Sequence, residues 1–247
     1  MDLPDPFEWR GEHVGASLSG GEVLFSTRRG GVSAGPYASL NLGRLTGDDG
    51  ANVDGNRERL AAAVGRPRER FLYGRQVHGT AVRRATEPPG DRRPVTDEDG
   101  QATALADAAA LVFVADCLPV MLVADGAVAA LHGGWRGLAG GILAEGAAAL
   151  RELGGGRPVR AALGPSARGC CYEVGEEVHA HFEPYAARVG ERNLDLAAVA
   201  RAQLDAAGVD EILDTGLCTM CADPGLFFSH RRDGGVTGRQ AGVVWRA

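Results

Sequence analysis

The chain has 247 residues, with 26 basic against 32 acidic side chains and a formal net charge of −6. This length suits one large domain, and an acidic chain without a Lys/Arg stripe excludes a nucleic-acid-binding face. Eighteen apolar residues never run together, and the first ten residues lack the apolar core of a signal peptide. We therefore expect a cytoplasmic protein with no membrane segment, whose five cysteines are thiols or metal ligands rather than disulfides.

The N-terminal segment begins with polar and Gly-rich sequence. Residues 1–20 predict an irregular lead-in, followed by a single domain over 21–247. The run EVLFST at 22–27 predicts a strand. It leads into RRGGVSAGPYASLNLG at 28–43, where glycine and proline predict a compact loop that brings its backbone close to whatever lies beneath it.

A helix is predicted over 52–64. Its middle is rich in alanine, Asp54 is a candidate N-cap, and Gly65 is the expected C-terminal stop. After it, FLYGRQVHG at 71–79 predicts a strand with a polar end, and TAVRRAT at 80–86 predicts its partner. His78 lies at that polar end, where a lone histidine is more often a solvent-facing or capping residue than a ligand.

The next segment, at 87–100, is dense in proline, glycine and charge, and predicts a mobile excursion. The apolar run AAALVFVA at 108–115 follows and predicts a buried strand. Asp116 and Cys117 directly follow this predicted strand.

A β-hairpin is the strongest local prediction in the chain. PVMLVA at 119–124 and AVAALH at 127–132 are separated by Asp125-Gly126, a dipeptide that favours a two-residue type I′ turn. With these two residues as the loop, Ala124 pairs with Ala127.

The hairpin register also brings two metal-ligating residue types together. Counting back from the turn sets Pro119 opposite His132, and Cys117 lies two residues further along the first arm. Side chains two apart on a strand share a face, so Cys117 and His132 are diagonal neighbours, with Cα atoms about 7–8 Å apart. Zn–S and Zn–N bonds of about 2.3 and 2.0 Å could bridge most of this gap.

The sequence HGGWRG at 132–137 predicts a strand-to-helix turn, with the helix continuing over 137–153. Backbone N–H groups at a helix start favour an anion, and Arg136 adds a fork of donors. Pairing of Arg136 with a carboxylate for structural reasons is the equally weighted alternative.

The C-terminal third mixes strands and helices. A strand and a Gly-Pro turn at 158–165 precede a helix that starts near Tyr172, and Asp195 caps another helix that ends at Gly208. A short strand at 211–213 and two closing strands, LFFSHRR and RQAGVVW, complete the chain. Hairpins instead of regular βαβ alternation predict an α+β fold, with mixed sheets packed against helices.

Three interpretations of Cys117 and His132 remain open from spacing alone. They bind a metal with a third residue and leave an open position, or form a thiolate–imidazolium pair for nucleophilic hydrolysis, or are ordinary core residues.

Cys218-Thr-Met-Cys221 has the two-residue gap that is typical of a zinc ribbon or a dithiol redox site. A ribbon needs a second pair of matching spacing, which the adjacent Cys170 and Cys171 do not supply.

Several motifs together resemble one bacterial family, the proteins long labelled multicopper polyphenol oxidases or laccase-domain proteins. The motifs are TRRGGVSAGPYASLNLG, QVHG, ADC, HGGWRG, GPSARGCCYEVGEEV and CTMC with FFSHRRDGGVTGRQ. The commonest family form has Ala at the position of Gly133. The resemblance implies metal ligands at His78, Cys117 and His132, and an α+β fold whose Gly-rich loop and basic C-terminal strand border one pocket.

The laccase label conflicts with the histidine count. Multicopper oxidases need a mononuclear copper and a trinuclear cluster with many imidazoles, whereas this chain has six histidines. One His₂Cys site can hold copper in vitro without reducing oxygen by four electrons. The resemblance instead implies a zinc enzyme that phosphorolyses adenosine, inosine, guanosine and S-methyl-5′-thioadenosine and deaminates adenosine.

Both reactions suit the predicted residues. Deamination needs a water activated by the metal and an acid–base group, and strand alternation points the nearest acid, Asp116, away from Cys117. Phosphorolysis needs arginines that hold phosphate, for which Arg28, Arg136 and Arg231 are the candidates.

The same family includes a factor that edits peptidoglycan precursors, so amide hydrolysis of such a precursor is the main alternative function. Copper-binding polyphenol oxidation and a non-enzymatic metal-binding role are the others.

Overall fold

The strands form two six-stranded sheets and one two-stranded sheet in the computed structural model, which describes residues 2–88 and 96–247. In chain order the strands are β1 (Glu8–Arg10), β2 (His13–Leu18), β3 (Gly21–Phe25), β4 (Phe71–Leu72), β5 (Val82–Ala85), β6 (Gly100–Thr103), β7 (Ala109–Val114), β8 (Leu118–Ala124), β9 (Ala127–Gly133), β10 (Arg160–Leu163), β11 (Arg188–Val189), β12 (Asn193–Leu194), β13 (Glu211–Asp214) and β14 (Gln240–Arg246). The helices are α1 (Gly50–Val64), α2 (Trp135–Gly140), α3 (Ile142–Glu152), α4 (Glu176–His179) and α5 (Leu196–Ala206).

The first large sheet has the order β1-β2-β3-β14-β7-β4, and the second has the order β13-β10-β8-β9-β6-β5. Most neighbours are antiparallel, but β4 pairs with β7, β5 with β6 and β10 with β13 in parallel. Mixed sheets with helices packed outside them confirm the predicted α+β class.

The two large sheets pack face to face, and helices cover their outer faces. Alternation along β8 shows the layers, because Met121 and Val123 pack against the first sheet whereas Val120 and Leu122 pack under α3 and α5. On the other side of the molecule, Leu60 of α1 packs on the outer face of the first sheet. Cys117 and His132 belong to the inter-sheet side by the same alternation, so the sandwich places them at one end of its central layer.

The first helix shows how local sequence sets element ends. It begins at Gly50 with Asp49 as its N-cap, and the Asp49 side chain accepts a hydrogen bond from the Ala51 N–H. The predicted cap, Asp54, is wrong: it lies inside α1 and forms an ion pair with Arg68 at 2.6 Å. Gly65 ends the helix as predicted, with a left-handed φ of 69° that favours glycine.

The predicted irregular lead-in at 1–20 is wrong. This segment forms β1 and β2, and β2 pairs with β3 to extend the first sheet. The strands cover Glu8–Arg10 and His13–Leu18. The two turn residues between them interrupt the run of strand-forming residues, so the sequence did not predict a strand here.

The segment around His78 also differs from the prediction. The strand predicted over 71–79 is limited to β4, and β5 pairs with β6 in the other sheet instead of with β4. Residues 89–95 of the predicted excursion lie outside the described residues. Its end is not an excursion, because Asp99 is fully buried and β6 starts at Gly100.

Three helix and strand predictions in the second half need correction. The helix predicted over 137–153 is divided into α2 and α3 by Gly141, whose φ is 90°. The helix predicted near Tyr172 starts only at Glu176. The segment LFFSHRR is not a strand, although Phe227 and Phe228 are fully buried. By contrast, α5 and its Asp195 cap are confirmed.

Among the described residues, no helix combines the length and apolar character needed to cross a bilayer.

Candidate metal centre

The hairpin places Cys117 beside His132. Ala124 pairs with Ala127 and Pro119 with His132, which confirms the predicted register. Cys117 directly precedes β8 and remains partly accessible, whereas His132 is 3% exposed. The two side chains therefore meet at the end of the hairpin furthest from its turn.

His78 joins them from the loop that follows β4. Its Nε2 lies 3.7 Å from the Sγ of Cys117, and its ring centroid lies 4.8 Å from that of His132. One ligand atom from each of the three residues lies within 4.8 Å of the others, so the group could hold a metal ion. His78 has a left-handed φ of 62°, a conformation that costs energy in a non-glycine residue and is enriched at functional sites.

Asp99 fixes both histidines and was not recognised in the sequence. One carboxylate oxygen accepts the Nδ1–H of His132 at 2.8 Å. The carboxylate also accepts the backbone N–H groups of Val77, His78 and Gly79, at 3.0, 2.9 and 2.8 Å. One buried side chain thus orients the ring of His132 and closes the loop that carries His78.

Gly134 leaves the space that the His78 ring occupies. A Cβ atom at Gly134 would lie 2.7 Å from Cδ2 of His78 and 3.4 Å from Sγ of Cys117. Its φ of −70° is ordinary, so the requirement for glycine here is steric. The strand-to-helix turn therefore packs against His78 and Cys117 and limits the space available to them.

Electrostatics couple the three residues. Burial raises the pKa of the Cys117 thiol, but His132 and His78 outweigh burial and lower it to about 6. Burial lowers the pKa of His132, but Cys117 and Asp99 outweigh it and raise it to about 9. Burial also opposes ionisation of Asp99, and the hydrogen bonds from His132 and the backbone hold its pKa below the usual value. The metal-free pair is therefore a thiolate beside an imidazolium at neutral pH.

The donor set fits a zinc ion with an open position. A thiolate and two imidazoles are ligands that Zn²⁺ prefers, and three protein ligands are typical of catalytic zinc sites. The bond from Nδ1 of His132 to Asp99 leaves Nε2 as its ligand atom, which is the usual carboxylate–histidine–metal arrangement. His78 is the exposed member of the three, so the open side of the cluster faces solvent.

Two of the predicted phosphate-binding arginines lie near Tyr172, a residue on which the charge of Cys117 also acts. The Arg231 guanidinium lies over the Tyr172 ring at 5.3 Å and donates to the Glu173 carbonyl at 2.7 Å. Arg136 stacks on Trp135 at 4.2 Å, is exposed, and acts electrostatically on Tyr172 together with Arg231. Within residues 2–88 and 96–247, neither guanidinium forms an ion pair with a carboxylate.

Arg28, the third predicted phosphate-binding arginine, contacts backbone carbonyls of two segments. Its Nε and both terminal nitrogens donate to the carbonyls of Ala38, Pro224 and Pro36, at 2.6, 2.9 and 3.4 Å. It also lies over the Phe228 ring at 4.4 Å. These contacts assign Arg28 to holding the Gly-rich loop against the C-terminal segment.

Asp116 orients the segment that carries Arg231. Its carboxylate accepts Thr219 Oγ1–H at 2.6 Å and the Arg231 N–H at 2.7 Å. Both carboxylate oxygens of Asp116 are therefore engaged. Asp116 lies between β7 and β8 with a left-handed φ of 87°, so the strand alternation used in the sequence prediction does not apply to it.

Two further residues near the cluster were missed. Burial and the charge of Cys117 raise the pKa of Tyr172 to about 12, although Arg231 opposes this. Burial lowers the pKa of Arg239, while Cys117 and Asp116 oppose the shift. The backbone N–H of Arg239 donates to Asn41 at 2.8 Å, so the Gly-rich loop contacts the C-terminal segment. Only tertiary structure brings these residues to Cys117, and no local pattern predicted them.

The described residues form an α+β sandwich with a His₂Cys cluster at one end of its central layer, and this cluster could hold one metal ion. A family profile described as multi-copper polyphenol oxidoreductase laccase matches residues 22–247, and the chain belongs to this family.

Relatives and solved structures agree with this assignment. Purine nucleoside phosphorylase from Corynebacterium glutamicum is 41% identical over 232 residues, covering 90% of this chain and 93% of the relative. The protein of the same name from Deinococcus radiodurans is 42% identical, covering 89% of this chain and 87% of the relative. The crystal structure of YlmD from Geobacillus stearothermophilus is 34% identical with a TM-score of 0.88, over 98% of this chain and 99% of that chain.

Proposed function

We propose that this protein is a cytoplasmic, zinc-dependent purine nucleoside enzyme. Its reactions are phosphorolysis of adenosine, inosine, guanosine and S-methyl-5′-thioadenosine, and deamination of adenosine. The observation that carries the proposal is the convergence of His78, Cys117 and His132 on one point, with Asp99 behind them, in a chain similar to proteins named purine nucleoside phosphorylase.

His78, Cys117 and His132 would hold the metal ion, which when bound would supply Lewis acidity toward a substrate oxygen or water. Asp99 keeps the Nδ1 proton on His132 and so presents Nε2 as a ligand. The partly accessible thiolate and the exposed imidazole leave one side open to substrate.

Phosphorolysis replaces the bond between the anomeric carbon and the purine nitrogen by a bond to a phosphate oxygen, giving free base and ribose 1-phosphate. Arg231 and Arg136 have no carboxylate partner among the residues that the structure describes, and they bind the phosphate dianion, which positions its oxygen. Tyr172, with its pKa raised to about 12, keeps its phenolic proton at neutral pH and donates a hydrogen bond to substrate.

Product analysis tests the proposal directly. Zinc-loaded protein is incubated with adenosine, with and without phosphate, and the products are separated by chromatography. We expect adenine only when phosphate is present and inosine in both conditions. Cys117→Ser removes a ligand and should lower both rates about 10²-fold or more. The control Arg59→Ala, which removes an exposed side chain of α1 on the far side of the first sheet, should retain both rates.

Failure of loaded wild-type protein to convert adenosine, inosine or guanosine contradicts the proposal. Peptidoglycan precursors with an amide-linked amino acid are then the next substrates, because the same cluster can activate water for amide hydrolysis.

A further inference from the structure

The remaining four cysteines form a second cluster. The Sγ of Cys171 lies 3.3 Å from that of Cys218, the Sγ of Cys170 lies 3.5 Å from that of Cys221, and the two adjacent sulfurs of Cys170 and Cys171 are 3.6 Å apart. All four sulfurs lie within 4.8 Å of one another. The fold therefore supplies the second pair that the C-x-x-C motif was expected to lack, and it does so from two consecutive residues.

The dimensions suit one zinc ion at the centre. Four sulfurs about 2.3 Å from a tetrahedral zinc are about 3.8 Å apart along each edge. The three Sγ–Sγ distances given above are a few tenths of an ångström shorter, a difference that small rotations about χ1 remove. The other three sulfur pairs are also within 4.8 Å, so small side-chain adjustments let one ion contact all four sulfurs.

The backbone around Cys218 suits a thiolate ligand. The N–H of Cys221 is directed at Sγ of Cys218 at 3.4 Å, and the N–H groups of Arg168 and Met220 are directed at the same sulfur. Such donors are usual around metal-bound sulfur, where they orient the ligand. Cys170 and Cys221 are exposed, which gives a metal ion access to the cluster from solvent.

The cluster joins two loops that border the candidate metal centre. Cys170 and Cys171 directly precede Tyr172, and Cys218 directly precedes Thr219, the donor to Asp116. Ser166 and Cys218 form an isolated β-bridge, with the Thr219 N–H donating to the Ser166 carbonyl at 3.0 Å. An ion bound by four protein ligands would add a cross-link between these loops.

We propose that Cys170, Cys171, Cys218 and Cys221 bind a second Zn²⁺ ion, a closed structural site that fixes the loop carrying Tyr172 beside the candidate metal centre. Four sulfur ligands leave no open position, so this ion takes no direct part in a reaction. The alternative chemistry for the same sulfurs is a pair of disulfides, Cys171 to Cys218 and Cys170 to Cys221. That alternative needs only two close pairs, whereas the observed cluster brings all four sulfurs together.

Metal stoichiometry tests the site. Protein purified with a reductant and saturated with Zn²⁺ is desalted, and its zinc is measured by plasma mass spectrometry. We expect two zinc ions per chain in the wild type and one in Cys218→Ser. The matched control Cys117→Ser also loses one ion but from the other site, so the variant with both substitutions should bind none.

Absorption spectroscopy gives a second test, and its wild-type measurement does not depend on how well the variants fold. Co²⁺ bound in place of zinc should show the intense thiolate-to-metal absorption of a four-sulfur site, and Cys117→Ser should retain it. Cys221→Ser, which changes an exposed side chain, should lose it. One zinc ion per wild-type chain, with no loss in Cys218→Ser, would overturn the proposal. Intact masses two or four hydrogens below the reduced chain under the same reductant would also overturn it. Neither readout depends on nucleoside turnover.

Discussion

Asp99 is the residue on which the geometry of the candidate metal centre depends most. It is fully buried, and it accepts one hydrogen bond from His132 and three from the backbone around His78. A buried carboxylate with this number of donors stays ionised and rigid. Two of the three candidate ligands are therefore oriented by one side chain that need not touch the metal.

Replacing Asp99 by Asn should weaken zinc binding about 10–100-fold, because the amide loses the charge that favours the ligand tautomer of His132. Competition with a chromophoric chelator measures the affinity. Asp97→Asn is the matched control, since Asp97 is exposed and pairs with Arg75. Equal affinities of the two variants would contradict the role assigned to Asp99.

Gly134→Ala should displace the His78 ring, since the added Cβ would lie 2.7 Å from Cδ2 of His78. We expect zinc affinity to fall about tenfold or more while the protein remains folded. Gly55→Ala is the control, because its Cβ meets only the Val32 side chain at 3.6 Å inside a helix. That control should bind zinc normally and gain about 1 kcal/mol in the free energy of unfolding. Unchanged zinc affinity in Gly134→Ala would refute the steric argument.

Zinc affinity should rise with pH. The metal must displace the proton of His132, whose pKa is raised to about 9, so protons compete with zinc until the pH passes that value. Below about 6, the lowered pKa of Cys117, protonation of the thiol adds a second competing proton. Between pH 6.5 and 8.5 the loss of one proton predicts an affinity increase of about 100-fold. Chelator competition at both values, corrected for ionisation of the chelator, measures it, and a flat profile would contradict it.

At the residue scale, the sequence predicts the part of the site that lies on one hairpin. Asp125 and Gly126 set the register, and the register alone brings Cys117 to His132. The approach of His78 depends on a loop with a left-handed residue and on Asp99, which lies 21 residues away in the chain. No periodicity encodes such contacts, so only the family resemblance indicated His78 and nothing indicated Asp99.

At the scale of elements, the strand-to-helix connection between β9 and α2 packs directly against the candidate metal centre through Gly134. Helix α2 is short because Gly141, with a φ of 90°, turns the chain before α3 begins. Leu138 and Ile142 are both fully buried on either side of this turn. The sequence predicted one continuous helix over 137–153, and it could not show the break because both helices bury apolar side chains.

Gly141→Ala should lower the free energy of unfolding by about 1–2 kcal/mol, the cost of a left-handed conformation in a residue with a Cβ. A Cβ at Gly141 would meet nothing within 4 Å, so the effect is conformational and not steric. Denaturant unfolding measures it, and zinc affinity should not change. A variant as stable as the wild type would show that the turn tolerates other conformations.

Short strands are the elements that the sequence did not reveal. Strand β6 has the sequence GQAT, without the β-branched or aromatic pattern of a strand, yet it is buried between β9 and β5. Tertiary packing overrides weak local preference in such cases. The long apolar strands β7, β8 and β9 were predicted because burial on both faces leaves a continuous apolar run.

At the scale of the whole molecule, the sandwich of two sheets brings together residues from distant parts of the chain. Loops after β4, β7 and β10 and the segment before β14 meet at one end of the central layer, where they supply His78, Cys117, Tyr172 and Arg239. Antiparallel pairing of β14 with both β3 and β7 fixes the C-terminal segment within the first sheet. The α+β class followed from the order of elements, whereas the meeting of these loops required the three-dimensional structure.

Zinc titration of the metal-free protein during inosine phosphorolysis tests the central claim most directly. Chelator-treated wild type should release no hypoxanthine, and added Zn²⁺ should restore turnover in proportion to occupancy of the site formed by His78, Cys117 and His132. Cys117→Ala, folded and given the same zinc, should stay inactive. Full turnover by the metal-free wild type, or restored turnover in Cys117→Ala, would contradict the account.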